Sequence, residues 1–417
     1  MLIRIASGRN LNMDWYTISN INELDTPALV VYPDRVRENI RRAIEMVGDP
    51  ARLRPHVKTH KSPQVTRMML EARIQKFKCA TIAEAEMLAL EGATDVLLAY
   101  QPIGPKVGRL IALIQKFPDT TFSCLIDSPE AARAMSATFF AAGLLVPVWL
   151  DINVGMDRTG IAPGPAAAEL NRVAAALPGI APVGLHAYDG HIRDSDPMAR
   201  AKRCDAAFET VLALRKEIVG AMGAGAGAGK SDAGKDTGRS DVGGGTATLG
   251  TAAGAEGLQI IAGGSPTFPI HARRAAEIQC SPGTFVYWDK GYGDQFPDQP
   301  FEPAALVVTR VISLRGQTRL CLDLGHKSIS AENEISKRVG FINGPELTPV
   351  GQSEEHLVVD AKDGSSPSRN FKIGDVFYGV PYHICPTVAL YDRACTVENG
   401  KLGADWRNIA RDRKLSI

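Results

Sequence analysis

The feature that most limits how this chain can fold is its rhythm. Short apolar runs at 53–58, 77–80, 96–100, 121–127, 146–152, 183–188 and 258–264 alternate with segments whose apolar residues recur at helical spacing. Strands separated by helices pair in parallel through right-handed crossovers. The number of units predicts a closed (β/α)8 barrel of the TIM type in preference to an open doubly wound sheet. Several helix starts are legible. Pro63 follows Ser62 as a first helical residue, Thr81 and Glu84 are spaced as a capping box, and Ser128-Pro129-Glu130 is a further acidic start. An earlier apolar run at 28–32, opened by Asp25-Thr26-Pro27, leads into a helix at 35–47 behind Asp34.

The rhythm breaks twice. Residues 221–256 are mostly glycine, alanine, serine, threonine and small charges, which cannot bury enough apolar area to offset their ordering entropy. They read as a disordered insertion between a helix at 198–219 and the next strand, with no aromatic anchor for a lid. After 285, helical spacing gives way to β-prone runs at 305–313, 318–322, 356–359 and 376–380, separated by turn residues. The expected plan is a lead at 1–25 joining the β domain, an α/β barrel at 26–285 and a C-terminal all-β domain at 286–417.

Composition narrows the function. A net charge of +1 gives no electrostatic ground for a nucleic-acid or acidic partner. No apolar run has membrane-spanning length and no basic-then-apolar leader follows Met1, so a soluble, cytoplasmic protein without a membrane partner is expected. The 7 cysteines are scattered and odd in number, which predicts reduced thiols.

The chemistry-bearing residues gather at predicted strand ends. Arg54-Pro55-His56-Val57-Lys58-Thr59-His60-Lys61 packs two histidines and two lysines where a barrel does its chemistry. A partly desolvated lysine there can condense with an aldehyde, whereas a basic surface loop would have no such use. Gly155-Met156-Asp157-Arg158-Thr159-Gly160 is a tight turn that aims a guanidinium at a phosphate, a carboxylate or a heterocycle nitrogen. His186-Ala187-Tyr188-Asp189-Gly190-His191 reads as a pocket wall. Gly263-Gly264-Ser265-Pro266-Thr267 and Ser281-Pro282-Gly283-Thr284 offer backbone amides and hydroxyls to an anion. In the β domain, His383 and Cys385 stand two apart, which in a strand puts both on one side, able to reach one metal.

Lys58 in Arg-Pro-His-Val-Lys-Thr-His-Lys, Arg158 in Gly-Met-Asp-Arg-Thr-Gly, the Gly263-Gly264-Ser265 loop and the His383/Cys385 pair together resemble the D-threonine aldolase and D-serine dehydratase family. The resemblance spans nearly the whole chain apart from the insertion. It implies a pyridoxal-phosphate-binding barrel of the alanine-racemase N-terminal type, a C-terminal β domain and a homodimer. It also implies that Lys58 forms the Schiff base with pyridoxal 5'-phosphate and that Arg158 donates to the pyridine nitrogen. Gly263, Gly264, Ser265, Gly283 and Thr284 would hold the phosphate, with Tyr188 and Gln101 as pocket neighbours. His383 and Cys385 would hold a divalent metal (zinc, manganese or magnesium), and His56 or His191 would act as the base.

The substrates implied are β-hydroxy D-amino acids. Retro-aldol cleavage of D-threonine type is the first expectation. Dehydration of D-serine or D-threo-3-hydroxyaspartate is the alternative, because the family's aldolases tend to place an aspartate where Cys385 stands. An amino-acid racemase on the same barrel would need a second base facing Lys58 and would have no use for the His383/Cys385 pair. A non-catalytic cofactor-binding barrel would not need the β domain.

Overall fold

The computed structural model describes residues 14–227, 258–361 and 370–417. Contacts divide them into two compact units: one of 40–285, 295–300 and 412–417, the other of 14–39, 286–294 and 301–411.

The first unit is built on a parallel sheet of seven strands in chain order: Lys76–Cys79, Asp95–Leu98, Thr121–Ile126, Val146–Ile152, Ile180–Ala187, Gln259–Ala262 and Ile278–Cys280. Residues 53–56 close the seam. Leu53 bridges to Cys280 and His56 to Lys78, both in parallel sense. Arg54 N donates to Cys280 O at 2.8 Å and Lys78 N to Pro55 O at 2.9 Å. The expected strand at 53–58 is therefore shorter than its apolar run. Pro55 has no N–H to offer a ladder, and 3-10 turns at Pro50–Arg52 and Val57–Thr59 flank the stave. Lys58 lies in the second turn, not on a strand.

The barrel interior is a packed core, as inward-facing side chains of alternate strands require. Leu97, Leu125, Trp149 and Ile261 form one buried cluster. Arg54 is 1% exposed and donates to both oxygens of Asp95 at 2.7 Å and to Gln279 at 2.8 Å. A buried guanidinium is tolerable because its donors find acceptors with matching geometry.

Outside run the helices. Thr81 caps Ile82–Leu90 by accepting from Glu84 N at 3.1 Å, and Ser128 caps Pro129–Ala141 by accepting from Ala131 N at 3.2 Å. Ser62 does not cap Pro63–Glu71; its hydroxyl donates to Gln64 at 2.9 Å. The helix Pro197–Gly227 continues past residue 220 into the expected insertion, and 228–256 lie outside the described residues. Residues 412–417, expected in the β domain, pack in this unit: Glu86 accepts from the amides of Ser416 and Ile417, each at 3.2 Å.

The second unit is largely β. Leu347–Gln352, Leu357–Ala361, Arg319–Leu322, Ala305–Arg315, Ala28–Val31, Arg393–Glu398 and Lys401–Arg407 are hydrogen-bonded in that order, and Val376–Pro381 joins both Ala305–Arg315 and Val339–Phe341. The expected barrel boundary at residue 26 is corrected here. Ala28–Val31 runs antiparallel to 305–308 and parallel to Cys395-Thr396. All four of its residues are buried, a pattern that a central β-domain strand and a barrel strand share. Ile18 N donates to Tyr378 Oη at 3.3 Å and Ser19 N to Gly400 O at 2.8 Å, tying the described part of the lead to this unit. The unit is not purely β, since the helix Ile384–Leu390 follows the strand Val376–Pro381.

No disulfide joins the seven cysteines. No helix among the described residues is long and apolar enough to cross a membrane.

Candidate active site

The basic motif at 54–61 is divided by the turn that follows the closing stave. His60 is buried and its Nδ1 accepts from Ser62 N at 3.1 Å. Burial pushes its pKa down to about 3, so it is a neutral structural group. Lys61, at φ +52°, is ion-paired to the fully buried Glu84, whose other oxygen accepts from Ala80 N at 2.6 Å. His56 and Lys58 remain. His56 caps the 3-10 turn, its Nδ1 accepting from Lys58 N at 3.3 Å. Among the described residues the Lys58 ammonium has no hydrogen bond or ion pair.

Both line a cavity at the C-terminal ends of the strands, together with Lys78, Asp151, Arg158, His186 and Tyr188. Arg158 and Lys78 each approach the Tyr188 ring, at 5.2 and 5.7 Å from its centroid. Burial, reinforced by the charges of Lys58 and Lys78, holds His56 well below the ordinary imidazole pKa. With Nδ1 accepting from a backbone amide, the neutral ring carries its proton on Nε2. In that tautomer His56 presents a donor, not the base expected of it.

The other expected base, His191, does not line this cavity. Among the described residues its buried Nδ1 has no partner, and Nε2 faces Gly155, where an added Cβ would stand 2.9 Å away. Gln101 is also turned elsewhere, accepting from Asp127 N at 2.9 Å.

The two glycine-rich loops meet through a serine. Gly283 N and Thr284 N both donate to Ser265 Oγ, at 3.2 and 3.1 Å. Both amides are spent on that oxygen, which leaves the hydroxyl proton of Ser265 as the donor the group can offer. Gly263 sits at φ +79°, and a Cβ on Gly264 would meet the Tyr188 ring at 2.8 Å. The Ser265 hydroxyl can donate to a phosphate oxygen, and the missing side chain of Gly264 lets the ring of Tyr188 lie against the loop.

Behind this loop lies a buried trio. Asp189, Cys204 and His271 hold ligand atoms within 4.8 Å of one another, a spacing that fits a metal ion. His271 Nε2 is 2.8 Å from Asp189 Oδ2, and Thr267 donates to Oδ1 at 2.6 Å. Arg274 Nε donates to His271 Nδ1 at 3.1 Å and its Nη2 lies 3.8 Å from Cys204 Sγ. Burial pushes the Cys204 thiol up to about 12.

His383 and Cys385 do not share a strand. The strand ends at Pro381, His383 is the N-cap of Ile384–Leu390, and Cys385 is in that helix's first turn. Asp289 makes the turn by accepting from Ile384 N at 3.2 Å. The side chains still meet. Burial opposes a charge on His383, but Cys385 and then Glu332 outweigh it and raise the imidazole to about 9. Glu332 is bonded to His383 Nδ1 and accepts at its other oxygen from Ser330 Oγ at 2.6 Å. A carboxylate on one ring nitrogen leaves the other for a metal, the usual outer support of a histidine ligand. Glu332 was not legible because it lies 51 positions from His383.

Lys78 and Asp151 were also missed as site residues, whereas His186 stands in the expected pocket wall. Their signal was a charged or titratable side chain inside an otherwise apolar barrel strand. Alternation points Phe77 and Cys79 one way and Lys78 the other, into the barrel.

Comparison with known proteins adds the following. Residues 31–229 match the alanine racemase N-terminal domain, and residues 304–397 match the putative serine dehydratase domain. The chain is 27% identical to a D-threonine aldolase of Arthrobacter sp., over 93% of both chains. It is 28% identical to a 3-hydroxy-D-aspartate aldolase of Paracoccus denitrificans (strain Pd 1222), over 94% of this chain and 93% of that one. The crystal structure of D-threonine aldolase from Filomicrobium marinum superposes with a TM-score of 0.78 at 24% identity, covering 93% of this chain and 96% of the other.

Proposed function

We propose, from the premise that this chain belongs to the D-threonine aldolase / hydroxyaspartate dehydratase family, that it is a pyridoxal-phosphate- and divalent-metal-dependent lyase of β-hydroxy D-amino acids. The observation that carries the reading is the amine of Lys58, unpaired among the described residues, in a cavity shared with Arg158 and Tyr188. Retro-aldol cleavage to glycine and an aldehyde is the preferred outcome, in keeping with the aldolases it is similar to over most of its length. Dehydration to a 2-oxo acid and ammonia is the second reading, favoured by the match to the serine dehydratase domain and by Cys385.

The residues fit the groups this chemistry needs. Lys58 would hold the cofactor through its amine, Arg158 would donate to the ring nitrogen, and Ser265 would hold the phosphate, joined by the Gly283 and Thr284 amides once they exchange Ser265 Oγ for a phosphate oxygen. We assign the metal to His383 and Cys385 in preference to the buried trio. An arginine cannot give up its proton, so Arg274 keeps His271 Nδ1 an acceptor and fixes the proton on Nε2, the atom facing Asp189. Loading His383 must displace a proton, which makes metal binding weaken as pH falls.

Pyridoxal phosphate, when bound, supplies an electron sink to the carbon bearing the amino group, and a divalent metal supplies a Lewis acid for the β-hydroxyl. His56 donates from Nε2 toward the cavity. His191, which lies outside the cavity lining and has its Nδ1 buried, is not placed to take the hydroxyl proton of a substrate bound there. In the dehydration reading Lys58 removes the α-proton.

Lys58→Ala tests the reading. The protein incubated with pyridoxal phosphate is expected to lose the visible absorbance of the lysine-bound cofactor and all lyase activity. A retained band at wild-type intensity would show that another amine holds the cofactor.

A further inference from the structure

Lys78 is the buried group that the mechanism above leaves unused. It is 2% exposed, stands on the inner face of the strand Lys76–Cys79, and lines the same cavity as Lys58. Its surroundings fix its role. His186 Nδ1 lies 2.8 Å from Asp151 Oδ1, so Nδ1 keeps the proton and donates it to the carboxylate, and Nε2 is left as an acceptor. Lys78 Nζ donates to that Nε2 at 3.4 Å. Asp151 is itself held by Thr159, which donates to Oδ2 at 2.8 Å. The chain Thr159–Asp151–His186–Lys78 therefore crosses three barrel elements and ends in an amine.

An ammonium has three donors. Among the described residues Lys78 uses one of them, and no carboxylate touches it directly. A buried ammonium with free donors is costly unless something accepts from it. The face of Tyr188 at 5.7 Å offsets a little of that cost. The remaining donors belong to the cavity. Burial, with the charge of Lys58 next, lowers the Lys78 ammonium to about 7, and an anion placed beside it would restore the full charge.

We propose that Lys78 is an anion-binding residue of the active site, donating to an anionic oxygen of the bound cofactor or substrate, with His186 and Asp151 as its positioning residues. This rests on the lyase reading given above. Two sources of the oxygen share this chemistry: the ring phenolate of pyridoxal phosphate and the carboxylate of the amino acid.

The test uses the full-length protein, its wild type and Lys78→Met, with pyridoxal phosphate titrated by absorbance and D-threonine turnover followed to saturation. If the phenolate is the ligand, Lys78→Met binds the cofactor about tenfold more weakly without substrate, a change of about 1.4 kcal/mol. If the carboxylate is the ligand, the cofactor titration is unchanged and KM rises about tenfold at nearly constant kcat, the pattern of lost uniform binding. Either result upholds the proposal and names the source. Wild-type cofactor affinity and KM in a folded Lys78→Met protein would overturn it. A wild type that never binds pyridoxal phosphate would instead sink the lyase reading, and this inference with it. Should Lys78→Met not fold, the wild type decides, using a cofactor analogue without the ring hydroxyl and a substrate analogue without the carboxylate. Undiminished binding of both analogues overturns the proposal; about tenfold weaker binding of one supports it.

Discussion

His60 and Lys61 share a motif with His56 and Lys58 but serve a different end, because one turn of backbone sends them to opposite sides. Lys61 neutralises a buried glutamate and His60 takes a backbone amide, so the turn that presents Lys58 is fastened at its far end. The same division of labour marks the β unit, where Ser330 and Glu332 fix the ring of His383. Glu332→Gln is therefore expected to weaken metal binding by about 10–100-fold, as loss of an outer-sphere carboxylate does elsewhere. Metal affinity measured by competition with a chelator checks this, and the cofactor absorbance should not change. Equal affinity in the variant would mean that Glu332 is a surface partner without influence on the site.

At the scale of elements, what the sequence makes legible is what local physics decides. Thr81 and Ser128 cap their helices because a half-buried hydroxyl beside orphan amides has no better partner. Thr81→Ala should cost about 1 kcal/mol in a urea titration while leaving turnover intact. No loss of stability would mean that the Glu84–Ala80 bond alone suffices as the cap. Elements decided by distant partners were not legible. The apolar run Ala28–Val31 could not announce that its neighbours lie near residues 305 and 395. The three-residue strand Ile278–Cys280 was too short to read as a strand, although it completes the parallel sheet. His383 and Cys385 were singled out by chemistry, but the backbone meant to bring them together, a strand, is a helix N-terminus.

For the whole molecule, the chain pairs a parallel barrel of the alanine racemase N-terminal type with a largely β unit, and both carry candidate ligating groups. Its branch within the family is a question of which bond breaks, and fold likeness does not decide that. The most direct test is product analysis on the purified protein supplied with pyridoxal phosphate and a divalent metal. D-threonine, D-serine and D-3-hydroxyaspartate would be offered, and glycine with aldehyde assayed against 2-oxo acid with ammonia. Glycine and an aldehyde are the expected products, with activity lost on chelation and restored by metal. A 2-oxo acid with ammonia would move the protein to the dehydratases, and turnover of none of the three substrates by the fully loaded protein would overturn its assignment as a lyase of β-hydroxy D-amino acids.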